Sequence, residues 1–108
     1  MIRCAVAFTT LIVAWPAWAE RCLAIDGDTL VCNRQKVRLA NVDAPELDRA
    51  GGRAAKRRLQ TLVQGREVAL KIHGQDRYGR LLAEAFVEGR RIEQHDIGPR
   101  TPRARKYD

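Results

Sequence analysis

The spacing of apolar and polar positions divides residues 22–87 into short strands and one helix. Apolar residues at 22–25 and 29–32 flank an Asp-Gly turn, a pattern typical of two strands joined in a hairpin. A second polar turn at 33–36 leads to a third strand at 37–42, in which neighbouring side chains point to opposite faces. The three segments predict an antiparallel meander.

A helix is predicted after the meander. Within residues 53–64 apolar side chains recur at helical spacing from Ala55 to Val63. Gly65 is suited to end that helix in a left-handed conformation. The opposite face is basic and either contacts an anion or is solvated; we favour the solvated face.

Two further strands follow the helix. Apolar and other residues alternate at 68–72, a polar turn occupies 73–79, and a last strand at 81–87 is closed by a Glu-Gly turn. The chain is therefore predicted to be mainly β with one helix, in the order β-β-β-α-β-β.

Residues 1–19 have the pattern of an export signal. Arg3 precedes an uncharged apolar run at 4–15, and an Ala-x-Ala sequence ends at Ala19, which leaves Glu20 as the new terminus. A buried core helix is the alternative, but the order of these features favours the signal. We therefore expect a secreted or periplasmic protein with no stable membrane association after cleavage.

Two cysteines follow the signal, Cys22 and Cys32, and they lie symmetrically about Gly27. If the hairpin forms, they face each other at a separation that a disulfide can bridge. Export to an oxidising compartment favours that pairing. Two buried free thiols are the alternative.

Charge and length set the broad class. The chain has 20 Lys and Arg against 13 Asp and Glu residues, a formal net charge of +7. Such an excess favours a polyanionic partner, although a solvated basic surface is the commoner explanation. With 108 residues the chain is long enough for one small domain, and we expect a monomer.

The candidate chemistry lies in residues 25–46, where four carboxylates surround one arginine. Carboxylates near one another resist joint ionisation, so such a cluster often holds a cation or performs acid–base work. All the candidate ligands are oxygens, which favours Ca²⁺ or Mg²⁺ over zinc. A plain hairpin turn and a solvated loop with a rigid proline are the alternatives. The five residues are Asp26, Asp28, Arg38, Asp43 and Glu46.

Three separated motifs resemble one known family. They are I-D-G-D-T-L at 25–30, V-R-L-A-N-V-D-A-P-E at 37–46 and D-R-Y-G-R-L-L-A at 76–83. In this order they resemble the staphylococcal nuclease, or thermonuclease, family, over roughly residues 21–91. The resemblance implies an OB-fold, a small five-stranded Greek-key barrel often used to bind nucleic acids.

The resemblance also implies a Ca²⁺ site. Its ligands would be the carboxylates of Asp28 and Asp43 and the main-chain carbonyl of Ala44, and the ion would neutralise charge at the phosphorus. Asp26 matches a position that stabilises the turn and contributes to the electrostatic field around the site.

Two arginines match the residues that grip the scissile phosphate in the family, Arg38 and Arg80. A planar, permanently charged guanidinium suits this role. Glu46 matches the general base, although a carboxylate that only positions the metal would look the same in sequence. Arg77 and Tyr78 match neighbours that contact the adjacent phosphate. An ordinary ion pair with Asp43, Glu46 or Asp76 is the alternative for both arginines.

The carboxyl end departs from the family pattern. Residues 93–108 include two prolines and several basic residues with almost no apolar periodicity. We therefore expect a basic, disordered tail there, with the C-terminal helices of the family absent or degraded. The predicted organisation is a signal peptide at 1–19, an OB-fold domain at 20–92 and this tail.

The leading hypothesis is a secreted, Ca²⁺-dependent nuclease that hydrolyses DNA and RNA with little sequence preference. By resemblance, cleavage would leave a 3′-phosphate. The alternatives are an OB-fold module that binds nucleic acid without cutting it and a truncated, inactive family member. The presence of Asp28, Asp43, Glu46, Arg38 and Arg80 argues against the binding module.

Overall fold

The computed structural model describes residues 19–100. The predicted signal peptide before Ala19 and the predicted tail beyond Arg100 lie outside the described residues. Neither helix of the described part is long and apolar enough to cross a membrane. The elements in chain order are β1 (Ala19–Glu20), β2 (Cys22–Asp26), β3 (Thr29–Cys32), β4 (Gln35–Leu39), α1 (Gly52–Val63), β5 (Val68–Gln75), β6 (Leu81–Val87), β7 (Arg90–Arg91) and α2 (Gln94–Ile97).

The strands form one sheet in the order β1-β5-β6-β4-β3-β2, with β7 beside β6. Strands β4 and β6 run parallel, and the other pairs are antiparallel. The predicted β-β-β-α-β-β order is confirmed by β2 through β6 with α1. The hydrogen-bonded path ends at β1 and β2, which only Arg21 separates along the chain. Because β1 and β2 do not pair with each other among the described residues, the sheet has the predicted OB-like strand order but is not closed into a barrel.

The core fills the space between the curved sheet and α1. Leu30, Val37 and Leu39 are fully buried on the meander, and the small side chains of Ala83 and Ala85 line β6. Helix α1 packs on β2 and turns one apolar stripe inward. The predicted helical spacing is thus the spacing of the buried positions, which are Gly52, Ala55, Leu59 and Val63.

The third strand ends earlier than the apolar pattern predicts. The prediction extended it to residue 42, whereas β4 ends at Leu39. Beyond this point the side chain of Arg38 donates to the carbonyls of Leu39 and Val42. The N–H of Ala40 still donates to the carbonyl of Ala83 in β6, and after Ala40 the chain continues as a loop that Arg38 holds.

The fourth strand is longer than predicted. Strand β5 continues to Gln75, with an irregularity in its pairing to β6 between Ile72 and Gly74. Its last residues are exposed and mostly polar, so they resemble a turn in sequence. Main-chain pairing with β6 extends the strand despite these polar side chains.

The folded domain extends past the predicted start of the tail. Residues 94–97 form α2, and Ile97 is fully buried. A reciprocal capping box between Glu93 and Asp96 starts this turn, and Arg58 of α1 donates to the carbonyl of Ile97 at 3.2 Å. The prediction of a tail from residue 93 is therefore wrong at 93–97, because a single helical turn is too short to show apolar periodicity.

The first hairpin pairs its cysteines directly. Cys22 and Cys32 are partners in the β2–β3 register, their Cα atoms are 4.3 Å apart, and a disulfide joins them. The turn at the other end of the hairpin contains Gly27 and Asp28. The covalent bond fixes the base of the hairpin that carries the carboxylates.

Candidate active site

The tip of the first hairpin docks tightly onto its surroundings. Gly27 is buried, and a Cβ built on it would lie 2.5 Å from the Cβ of Ala55 and 2.6 Å from that of Ala44. Only a residue without a side chain allows this approach. Gly27 thus brings the hairpin tip against both α1 and the loop after β4, a role that its place in an Asp-Gly turn does not reveal.

Asp28 is fixed by hydrogen bonds to both oxygens. Asp28 is buried, with only 8% of its surface exposed. Oδ1 accepts from the hydroxyl of Thr29, and Oδ2 accepts from the main-chain N–H of Ala44, each at 3.0 Å. The carboxylate is therefore oriented before any ligand arrives.

Arg38 lies between the two predicted carboxylate ligands. Its NH2 nitrogen is 3.3 Å from Oδ2 of Asp28 and 3.4 Å from Oδ1 of Asp43. Its NH1 nitrogen is occupied by the carbonyls of the following loop. The ion pair with Asp43 that sequence reasoning left as an alternative is therefore present, and it also brings three of the predicted site residues into contact.

The pKa of Asp26 depends on burial and on the charged residues around the site. Burial raises the pKa of its carboxyl, and the negative charges of Asp28 and Glu46 raise it further. The positive charges of Lys56 and Arg80 oppose that rise. Both Glu46 and Arg80 thus lie within electrostatic range of the hairpin tip.

Glu46 itself is exposed. Within residues 19–100 its side chain makes no hydrogen bond or ion pair. Its carbonyl accepts from the N–H of Arg49, which folds the loop back before α1. The structure therefore leaves this carboxylate accessible to water near the other acidic residues.

The turn after β5 holds Arg80 through one aspartate. Oδ1 of Asp76 accepts from the N–H groups of Tyr78 and Arg80, each at 2.9 Å, and Oδ2 accepts from Nε of Arg80 at 2.7 Å. Burial alone would raise the pKa of Asp76, but these hydrogen bonds outweigh it, and the pKa is lowered. Gly79 takes a positive φ of 86° that closes the turn.

Arg38 and Arg80 line the same open pocket. It has a volume of about 350 Å³. Tyr78 is 73% exposed, and the Cζ atoms of Arg77 and Arg80 lie 5.6 and 5.7 Å from the centre of its ring. The structure thus assembles all four predicted phosphate-contacting residues on one surface. The lining residues are Arg38, Leu39, Ala40, Asp76, Arg77, Tyr78, Arg80 and Leu82.

The chemistry of the donors fits a hard cation. Asp28 and Asp43 each place a carboxylate oxygen within 3.4 Å of the same Arg38 nitrogen, and this guanidinium compensates their charge. In the described part of the chain no group of three or more His, Cys, Asp or Glu side chains is arranged to hold a metal. An ion at this place would therefore need main-chain and water oxygens as well, as Ca²⁺ commonly accepts.

Sequence reasoning missed the residues that hold the Asp43 loop. Gln94 forms hydrogen bonds to both main-chain groups of Asp43. Asn41 donates to the carbonyl of Ile92 at 2.9 Å, and its Oδ1 is buried without a partner among the described residues. No sequence pattern marks these contacts, because each joins residues 51 positions apart.

Comparison with known proteins identifies the family. The family model described as staphylococcal nuclease homologue matches residues 36–97, which include α2. Protein ParB of Escherichia coli is 41% identical over 95 residues, covering 81% of this chain and 54% of that protein. The micrococcal nuclease of Shigella flexneri is 42% identical over 94 residues, covering 80% and 54%.

An uncharacterized endonuclease of Haemophilus influenzae is 44% identical over 72 residues, covering 62% of this chain and 40% of that protein. The chain thus spans about half the length of the first two relatives. The matched segment contains most of the candidate site, including Arg38, Asp43, Glu46 and Arg80. The resemblance seen in the three motifs is thereby confirmed, and the chain belongs to the family of staphylococcal nuclease homologues.

Proposed function

We propose that this protein is a Ca²⁺-dependent nuclease that hydrolyses phosphodiester bonds in DNA and RNA with little sequence preference. The observation that carries the proposal is the convergence of Arg38 and Arg80 on one pocket, while Arg38 also contacts Asp28 and Asp43. Phosphate binding and cation binding would then occur side by side. The nuclease names of the Shigella flexneri and Haemophilus influenzae relatives support the same conclusion.

The arginines would grip the phosphate. Within residues 19–100 the side chain of Arg80 donates only through Nε, so its two terminal nitrogens are available for phosphate oxygens. The contacts of Arg38 with the carboxylates, at 3.3 and 3.4 Å, are long for charge-assisted hydrogen bonds. Arg38 can therefore share its charge with a substrate, and both guanidiniums would stabilise the charge that develops in the transition state.

The carboxylates would hold the cation. Asp28, Asp43 and the carbonyl of Ala44 supply its oxygen ligands in this proposal. When bound, Ca²⁺ supplies Lewis-acid polarisation of the phosphoryl oxygen. Because Asp28 is already fixed by Thr29 and Ala44, little reorganisation of this ligand is needed.

Glu46 would act as the general base. Its exposed carboxylate lies in the electrostatic range of Asp26 and makes no hydrogen bond to the described residues. In the proposal a carboxylate oxygen of Glu46 accepts a proton from the attacking water, whose oxygen bonds to phosphorus as the P–O5′ bond breaks. The leaving 5′ oxygen takes a proton from solvent and becomes a hydroxyl. Arg77 and Tyr78 would orient the neighbouring phosphate, and the product would carry a 3′-phosphate.

The test uses the purified full chain with plasmid, single-stranded DNA and RNA, each with Ca²⁺ or with chelator. We expect cutting that chelator abolishes and that Arg80→Ala lowers by about 10²-fold or more, as for loss of one preorganised transition-state donor. Glu46→Ala should also lose most activity. Arg90→Ala and Glu67→Ala are the charge-matched controls, because both residues are exposed and lie outside the pocket. Cutting that persists unchanged in Arg80→Ala would reject the proposal.

Binding without cutting is the second candidate function. It is favoured by one observation: both arginines already contact carboxylates, Arg38 with Asp28 and Asp43, and Arg80 with Asp76. The net charge of +7 would then supply most of the affinity. Salt-sensitive retention of DNA, with no Ca²⁺-dependent cutting by the wild type, would identify this function.

We also propose that the chain is exported and acts as a monomer. The Cys22–Cys32 disulfide supports export, because such bonds persist in oxidising compartments. Expression of the full sequence followed by fractionation should place the chain in the periplasm or the medium with this disulfide formed. Recovery in the cytoplasm with reduced thiols would reject the proposal of export, and sedimentation would test the monomer.

A further inference from the structure

Gln94 holds the main chain of Asp43 on both sides. Its Oε1 accepts from the N–H of Asp43 at 2.9 Å, and its Nε2 donates to the carbonyl of Asp43 at 3.1 Å. The same Nε2 donates to the carbonyl of Gly98 at 2.7 Å. One side-chain amide thus satisfies both main-chain groups of Asp43, as a neighbouring strand would do.

Within residues 19–100 no strand pairs with the main chain of Asp43. Strand β4 ends at Leu39, and the N–H of Ala40 still donates to the carbonyl of Ala83 in β6, so Asp43 lies three residues beyond the last main-chain bond to a neighbouring strand. The side chain of Asn41 adds a second connection, because it donates to the carbonyl of Ile92. The loop at 41–43 is therefore held by the segment at 92–94, which precedes and begins α2.

The double contact requires an amide. A side-chain amide has both a donor nitrogen and an acceptor oxygen, whereas an ionised carboxylate only accepts and a hydrocarbon does neither. Gln94 is the first residue of α2, and Ile97 anchors the same helical turn in the core. The amide is thus presented from a fixed element.

We infer that Gln94 is a positioning residue that sets the Asp43–Ala44 peptide so that the carboxylates of Asp43 and Asp28 face the same nitrogen of Arg38. The inference rests on the proposed function, in which Asp28 and Asp43 bind Ca²⁺. One peptide links the two residues: its carbonyl, from Asp43, accepts from Gln94, and its N–H, from Ala44, donates to Asp28. If the peptide turns, the spacing of the two carboxylates changes with it.

The test removes the amide and measures Ca²⁺ binding alone. Gln94→Met keeps the side-chain length but loses both hydrogen bonds to Asp43. Calorimetric titration of the full chain with Ca²⁺ should show an affinity lowered by about 10-fold to 100-fold, the usual effect of losing a group that orients a metal ligand. Hydrogen exchange should show a faster amide of Asp43, while amides of β6 keep their rates.

Gln60→Met is the matched control. The side chain of Gln60 also accepts from a main-chain N–H, that of Ala24 at 2.9 Å, but it does not touch the Asp43 loop. Its loss should leave Ca²⁺ affinity unchanged. If Gln94→Met does not fold, Gln94→Asn replaces it, because its shorter amide cannot reach both groups of Asp43.

The outcomes separate the inference from the function on which it rests. A wild-type chain that binds no Ca²⁺ would overturn the proposed function, and the positioning role would fall with it. A wild-type chain that binds Ca²⁺ and a Gln94→Met variant that binds it equally would overturn the inference alone. Equal losses in Gln94→Met and Gln60→Met would also overturn it, because they would reflect general destabilisation.

Discussion

Gly27 lies so close to Ala55 that a Cβ built on Gly27 would be 2.5 Å from the Cβ of Ala55. The hairpin tip and helix α1 therefore meet without any side chain between them on the hairpin side. Gly27 is almost equally close to Ala44 in the loop after β4. The two contacts together fix the positions of Asp26 and Asp28 relative to that loop. The geometry of the site thus depends on the absence of a side chain at Gly27.

Gly27→Ala should destabilise the protein and displace the site. Overpacking of this kind costs about 1–3 kcal/mol in the free energy of unfolding. Urea denaturation measures that loss, and Ca²⁺ titration should show weaker binding, because Asp28 moves with the tip. Gly74→Ala is the control, since no atom lies within 4 Å of the added Cβ. Equal stability of the two variants would contradict the close packing seen here.

Ile97→Ala should destabilise the domain although it lies in a segment that the sequence assigns to a tail. Ile97 is fully buried, and truncation of such a side chain costs about 2–5 kcal/mol. Ile72 is 44% exposed, so Ile72→Ala should cost much less. Thermal and urea unfolding of both variants checks the difference. An Ile97→Ala variant as stable as the wild type would mean that α2 does not pack on the core.

The pKa of Asp76 predicts a loss of stability in acid. Because the pKa is lower in the folded state than the ordinary value of 3.8, the ionised carboxylate stabilises the fold above that value. The contribution is lost as the pH falls through the lowered pKa. Asp76→Asn should therefore be less stable than the wild type at pH 7, and the difference should shrink below about pH 4.

Asp48→Asn is the control for this pH dependence, because Asp48 is exposed in the loop before α1. Stability would be followed by urea denaturation between pH 7 and pH 3. A difference between Asp76→Asn and the wild type that stays constant over this range would contradict the role of the ionised carboxylate. The Asp76 variant should also cut more slowly, because Nε of Arg80 loses its acceptor.

Ca²⁺ should stabilise the wild-type fold and have no such effect on Asp43→Asn. A ligand at 100 times its Kd raises the free energy of unfolding by about 2.7 kcal/mol. Thermal unfolding with Ca²⁺ and with chelator measures the difference. In chelator the variant should remain folded, because Asp28 still contacts Arg38 at 3.3 Å. Full Ca²⁺ stabilisation of Asp43→Asn would remove Asp43 from the proposed ligands.

The parts of this fold that sequence could predict are those with local patterns. Helical spacing in α1 reflects one buried face, so the period of the pattern gives the element. Gly65 has the positive φ of 72° expected where α1 ends. The three motifs likewise keep their meaning without coordinates, because each is one continuous stretch of sequence.

The remaining features depend on contacts between distant segments. The last residues of β5 are polar and are made a strand only by pairing with β6. Gln94 is an ordinary polar residue until the fold brings it to Asp43, and Gly27 is an ordinary turn glycine until α1 packs over it. In each case a partner many residues away determines the role, and one sequence carries no signal of that partner.

The first hairpin is fixed at both ends, by the Cys22–Cys32 disulfide at its base and by Gly27 at its tip. The length of the hairpin therefore determines the distance between Asp28 and the disulfide. A two-residue insertion between these points would preserve strand pairing and face, yet it would push the carboxylate past Ala44. Relatives and designed variants should thus tolerate a change of side chain at an exposed position such as Leu23 far better than a change in the length of β2 or β3.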